Sequence, residues 1–122
     1  METPSNPKRG EVWLVNFDPQ VGVEIKKTRP AVVISANDHA RMPLRIIVPF
    51  TDWKEAYAQH YTKVYFAATA ANGLTKESAA DAFQIKCFSV ERFLHGRPLG
   101  RLTVQEIEDV CIAIRIAIGM DH

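Results

Sequence analysis

Short apolar runs rich in β-branched residues, each soon broken by proline, glycine or asparagine, restrict this chain to a small sheet folded on itself. Val12-Trp13-Leu14-Val15 with Phe17 is stopped by Asp18-Pro19 and Gly22. Ala31-Val32-Val33-Ile34 follows Pro30, and a proline can open a strand but is not expected in its middle. A third strand is expected over Arg45-Ile46-Ile47-Val48-Pro49-Phe50, with Thr51 at its end, and a fourth over Tyr61 to Phe66. The alternation in Phe83-Gln84-Ile85-Lys86-Cys87 predicts a half-exposed strand, and Asn72-Gly73 a turn before it. Asn37 is placed to cap a helical turn over residues 37–41.

One segment has a different period. Thr103 and Glu106 have capping-box spacing, and Ile107, Val110, Cys111, Ile114 and Ala117 recur at helical intervals up to Gly119. The expected architecture is therefore mainly β with a C-terminal helix: a small β-barrel or strongly curved sheet whose open end or edge the helix covers. A chain of 122 residues supports one such core. The proline-containing segment 1–8 reads as a loose leader and 9–122 as a single domain. The start lacks the pattern of an export signal and no apolar run is long enough to span a bilayer, so the expected compartment is the cytosol. Cys87 and Cys111 match neither a zinc nor a redox spacing and are expected to be buried thiols. No glycine-rich phosphate loop occurs, and no cofactor is expected.

With a formal charge of +1, total charge does not announce a polyanionic partner, so local clusters have to. The stretch Glu24 to Arg29 carries three basic residues, Lys26, Lys27 and Arg29, against one acid. Lys86, Arg92, Arg97 and Arg101 lie among Phe88, Phe93 and His95, a basic and aromatic mixture that can bind single-stranded RNA, although the two phenylalanines read more simply as core. Trp53 and Tyr57 can equally stack on bases or pack a loop. Arg29 offers a permanently charged fork that fits phosphate oxygens, Glu24 a proton acceptor, and Thr51 a neutral hydroxyl. Those are the groups needed when a ribose 2′-hydroxyl attacks its own phosphate. On spacing alone, however, each is equally a solvated charge or a strand-end threonine. His39, His60, His95 and His122 are scattered singly, so neither a histidine pair nor a metal site is expected.

Longer motifs decide between these readings. Arg9-Gly10-Glu11-Val12-Trp13-Leu14-Val15, Phe17-Asp18-Pro19, Gly22, Glu24 and Thr28-Arg29-Pro30-Ala31-Val32-Val33-Ile34-Ser35, in that order, resemble the MazF/PemK family of toxin endoribonucleases. The likeness continues through Val48-Pro49-Phe50-Thr51, Gly73-Leu74, Ser78, Gln84-Ile85-Lys86 and Leu99-Gly100-Arg101-Leu102. It implies an SH3-like barrel of the CcdB/PemK type, a homodimer that cuts single-stranded RNA without a metal or cofactor and is inhibited by a cognate antitoxin. Arg29 and Thr51 take the places of the catalytic pair, and Glu24 that of an acidic loop residue. Lys26, Lys27 and Thr28, with Gln84 and Lys86, are the expected RNA-binding residues. Phe83 stands before Gln84 where many members have an acid, and residues 52–61 follow no pattern of the family. Two alternatives belong to other classes. A gyrase-poisoning toxin resembling CcdB relies on a tryptophan near the C-terminal end, where this chain has Ile116-Ala117-Ile118-Gly119-Met120. An inactive RNA- or partner-binding barrel fits less well with the retention of Arg29 and Thr51.

Overall fold

In the computed structural model, which describes residues 5–19, 21–24 and 27–120, one long strand organises the whole sheet. The strands are β1 (Glu11–Asn16), β2 (Thr28–Val33), β3 (Leu44–Asp52), β4 (Lys63–Phe66), β5 (Ser78–Asp81), β6 (Lys86–Ser89) and β7 (Gly100–Arg101), followed by helix α1 (Val104–Ala117). All pairings are antiparallel, in the order β4-β5-β3-β2-β1-β7, with β6 also on β3. On one edge β3 pairs with β2, from Val33↔Ile47 to Ala31↔Pro49. On the other edge its first half pairs with β6, up to Ile47↔Lys86, and its last residues with β5, from Phe50↔Ala80. Serving three partners bends β3 and curls the sheet into the half-barrel with one helix that the sequence implied.

Two prolines sit where this arrangement can spare a donor. The Ile34 N–H points toward β3, donating to the Ile46 carbonyl at 2.9 Å, whereas the Val33 carbonyl faces β1 and accepts from Gly10. By the alternation of an antiparallel ladder the missing N–H of Pro30 also faces β3, one residue beyond the last β2–β3 pair. Pro49 faces the opposite edge, between Lys86 at the start of β6 and Ala80 near the end of β5. Pro30 thus lies inside β2 rather than opening it, because β3 has already turned away.

The two faces of the sheet build two clusters. Val12, Val32, Val48, Phe50, Phe66, Leu74 and Leu102 pack with Val110 of α1, and Trp13, Val15, Phe17, Ala31, Val33, Ile47 and Phe93 pack on the other side. The helix begins as its sequence demands: the Thr103 hydroxyl accepts from the Glu106 N–H at 3.1 Å, and the Glu106 carboxylate accepts from the Thr103 N–H at 2.8 Å. Burying Val110 against the first cluster stabilises the docked helix by roughly 1.5–3 kcal/mol.

Several expectations need correction. Residues 83–87 are not one strand: Ala82–Gln84 form a 3₁₀ turn, held by the Asp81 carboxylate accepting from the Phe83 N–H at 3.2 Å, and β6 starts at Lys86. Strand β5 was not expected, since Ser78-Ala79-Ala80-Asp81 has little intrinsic strand preference and is fixed by neighbours on both edges. Asn37 does not cap its turn, for which Ala36 is the preceding residue; its side chain accepts the Arg9 N–H at 2.8 Å. Cys87 is exposed and Cys111 half-buried, because Cys87 lies beside exposed Ile46 on the face of β6 turned away from the core. Within the segment read as a leader, Pro7 is buried, and its carbonyl and the Asn6 side chain both accept from the buried Arg45 guanidinium, at 2.8 and 3.0 Å.

The segment leading into β5 depends on a close backbone approach. Gly73 has φ of 73°, and a Cβ there would collide with the Leu99 carbonyl, while a Cβ on Gly100 would strike the backbone of residues 71–72. Asn72, buried alongside, accepts from the N–H groups of Thr69 and Leu74 at 3.1 and 2.9 Å. Gly73→Ala therefore combines left-handed strain with a backbone clash and is expected to cost at least about 2 kcal/mol. Urea unfolding checks this; a midpoint equal to that of the parent protein would show that the 69–75 loop relaxes freely.

Candidate functional site

Past Ala31 and Pro49 the β2–β3 ladder ends, and the gap opens into a cavity of about 390 Å³. Continued two residues along the same register, β2 presents Arg29 and β3 presents Thr51 on its two sides. Both line the cavity, as does Thr28, and its apolar wall comes from Leu14, Pro30, Phe50, Leu74 and Leu99. Pro30, whose missing N–H faces β3 just past the last pair, thus marks the opening that the cation and the hydroxyl line.

Two groups absent from the sequence expectations belong to this cavity. The register of β3 with β5 sets Asp52 opposite Ser78, and Lys76 arrives just before that pair. Its Nζ lies 2.9 Å from Asp52 Oδ1, and Arg29 Nη1 approaches the same oxygen at 3.9 Å. The Lys76 ammonium holds the Asp52 carboxyl below the usual range, with smaller help from Arg29 and Lys54. Neither residue could be found from spacing, since 24 positions separate them and only the β3–β5 register joins them.

The remaining expected residues form a second cluster. Glu24 Oε2 accepts from Lys86 Nζ at 2.8 Å, Glu24 Oε1 accepts from the Val21 N–H at 2.9 Å, and Gln84 Nε2 donates to the Val23 carbonyl at 3.4 Å. The β1–β2 loop is therefore latched to the start of β6. The Lys86 hydrogen bond, followed by that of Val21, lowers the Glu24 pKa. Glu24 is not among the residues lining the Arg29–Thr51 cavity, and a carboxylate already paired with a cation is a weaker base than a free one. Lys27 is exposed, with a left-handed backbone (φ 66°) and its N–H on Asp18 Oδ1 at 2.7 Å. Lys26 lies outside the described residues.

The basic and aromatic segment is largely structural. Arg92 donates to the carbonyls of Asn16 and Asp18 at 3.0 and 2.8 Å and stacks over Phe88, while Phe93 is core. Trp53 packs edge-on against Tyr57 and Tyr65, and Lys63 Nζ sits 4.9 Å from the Tyr57 ring centroid, so these rings build the loop after β3. Among the described residues no group of three or more His, Cys, Asp or Glu side chains could hold a metal ion, and no helix is long and apolar enough to cross a membrane.

Comparison with known proteins places this geometry. Residues 8–118 match the family model described as PemK-like, MazF-like toxin of type II toxin-antitoxin system. Endoribonuclease MazF9 of Mycobacterium tuberculosis is 31% identical over 116 residues, spanning 93% of this chain and 97% of that protein. Among solved structures, MazF from Deinococcus radiodurans superposes with a TM-score of 0.75 at 21% identity, over 93% of this chain and 97% of that one. An endoribonuclease in complex with its cognate antitoxin, from a mycobacterial species, gives 0.71 at 19% identity, over 95% and 98%. At such identities the structures speak for the fold, whereas the family model and the mycobacterial relative cover nearly the whole sequence: the chain belongs to the PemK-like, MazF-like toxin family of type II toxin–antitoxin systems.

Proposed function

We propose that this protein is an endoribonuclease toxin that cuts single-stranded RNA without a metal, leaving 2′,3′-cyclic phosphate and 5′-hydroxyl ends. The observation that carries this reading is the convergence of Arg29 and Thr51, from two strands, on one cavity at the break in the β2–β3 ladder. The substrate supplies its own nucleophile: the 2′-hydroxyl oxygen bonds to phosphorus as its proton passes to a base, the bond from phosphorus to the 5′-oxygen breaks, and that oxygen takes a proton from water. Arg29 stabilises the charge on the pentavalent phosphorus, a role suited to a group that never loses its proton. The Thr51 hydroxyl hydrogen-bonds a phosphate or departing oxygen. Thr28 and Lys27 border the path of the strand, Gln84 and Lys86 extend it, and Lys26 is a further RNA contact on the strength of the family motif alone. Glu24 serves as the base when the β1–β2 loop folds over the RNA and brings it to the cavity; an RNA phosphate that draws Lys86 away raises its pKa toward the ordinary range.

The relatives named as endoribonucleases support the activity, and the neighbour in complex with its cognate antitoxin supports inhibition by an antitoxin. Exposed apolar side chains offer surface for that partner and for a homodimer: Ile112 and Ile118 at the helix, Leu44 and Ile46 on β3. The expected place of action is the cytosol, where RNA is present.

Two measurements test the mechanism. In EDTA the protein is expected to cut RNA, and Arg29→Ala to lower the rate roughly 100- to 1,000-fold, as loss of a transition-state donor does elsewhere; uncut RNA, or equal rates, would sink the assignment. The latch can be followed separately through the Val21 amide resonance. Because the Glu24 pKa is depressed in the folded protein, the pair persists through neutral and mildly acidic pH. It is lost only as pH falls through that depressed value. The Val21 titration midpoint should lie below that of an ordinary glutamate and rise in Lys86→Met; the same midpoint in both proteins would exclude the latch.

A further inference from the structure

One carboxylate stands between the two cations of the cavity. Asp52 Oδ1 lies 2.9 Å from Lys76 Nζ and 3.9 Å from Arg29 Nη1, so a single anionic group at this position is hydrogen-bonded to one cation and faces the other. A phosphodiester presents the same kind of target as a carboxylate, two oxygens sharing one negative charge, and ammonium and guanidinium groups bind either. The side chains of Asp52 and Lys76 are 54% and 61% exposed, and an ion pair so open to water contributes little to stability. It is accordingly inexpensive to exchange. The backbone that carries Lys76 is fixed: its carbonyl accepts from the Ser78 hydroxyl at 2.9 Å, and the neighbouring Glu77 carbonyl accepts from the Trp53 N–H at 3.2 Å. The lysine is thus held beside the site while its head group remains free to change partner.

We propose that Lys76 is a second phosphate-binding residue of this site and that Asp52 is an internal occupant of the anion position, which an RNA phosphate displaces. The inference rests on the ribonuclease reading above and adds to it a residue and a competition. Lys76 then contributes one phosphate contact beyond Arg29, and the Asp52 carboxylate weakens RNA binding by holding both cations in the free protein and repelling the phosphate that arrives.

The two residues should move affinity in opposite directions, which a merely structural pair would not do. Fluorescence anisotropy with a mixed-sequence 2′-O-methyl oligonucleotide, which lacks the nucleophile and cannot be cut, reads binding at several potassium chloride concentrations. Lys76→Met is expected to weaken binding about fivefold to tenfold near 0.1 M salt and to make the slope of log K against log salt shallower by about 0.7, the loss of one phosphate contact on a single strand. Lys76→Arg should keep the parent slope. Asp52→Asn should tighten binding about threefold or more, consistent with removing a like charge next to phosphate. A parent-like slope in Lys76→Met, or weaker binding in Asp52→Asn, overturns the proposal. Cleavage of the unmodified oligonucleotide, run alongside, separates the two readings. Cut RNA with a parent-like slope in Lys76→Met removes this inference alone, the expected binding pattern on RNA that stays intact removes the ribonuclease reading alone, and no binding by the parent protein removes both.

Discussion

The structure depends on the divided loyalty of β3. A strand has two hydrogen-bonding edges, and β3 uses one for β2 and splits the other between β6 and β5. Such a strand must bend where it changes partners, and a bend exposes backbone donors that the ladder no longer satisfies. Proline removes the donor itself. Pro49 lies at the handover from β6 to β5 and Pro30 just past the last β2–β3 pair, so the curl is achieved without an orphaned N–H at either place. Pro49 thus serves the curl on one edge of β3, while on the other edge the ladder stops at Pro30 and leaves the gap that Arg29 and Thr51 flank.

Around that gap the chain brings in its remaining parts from far along the sequence. The tight passage of Gly73 beside Leu99 leads into β5, and the pairing of β5 with the end of β3 delivers Lys76 to Asp52. The β1–β2 loop in turn is drawn to β6, on the edge of β3 that also carries β5, by the Glu24–Lys86 pair. Each of these arrivals depends on sheet register, and a slip of one residue would turn every side chain concerned to the opposite face. The buried valines and alanines of β1, β2, β3 and β5 prevent such a slip, so the core that fixes the register is also what positions the charges.

What could be read in the sequence follows from how local each feature is. Helix α1 was legible almost to the residue, because Thr103, Glu106 and the spacing through Val110 and Ile114 act within a few turns. Strands β1 and β3 announced themselves through β-branched runs. Strand β5 did not: Ser78, Ala79 and Ala80 are in a strand only because β3 and β4 lie on either side, and small residues fit there. The alternation at Phe83 to Cys87 misled for the converse reason, since the Asp81 side chain diverts the backbone into a turn. At the site, Arg29 and Thr51 had no physical signature of their own and emerged from the family motif. Asp52 and Lys76 emerged from neither, because an ion pair across two strands becomes visible only once their register is known.

The near-neutral charge of the chain also has a structural explanation. A net charge of +1 is low for a protein proposed to grip a polyanion, yet Lys76 of the cavity and Lys86 of the second cluster each carry a counter-ion: Lys86 has Glu24 and Lys76 has Asp52. Unpaired, these cations would attract nucleic acid and other polyanions without selection, since the phosphate term is independent of sequence. Paired with carboxylates in exposed, weakly stabilising bridges, they give up little on exchange but require the incoming phosphate to replace two anions at defined positions. On the proposed function, RNA binding is then an exchange of internal for external anions. Affinity depends on a strand that can satisfy Arg29, Lys76 and Lys86 together, and discrimination arises from geometry rather than from an excess of positive charge.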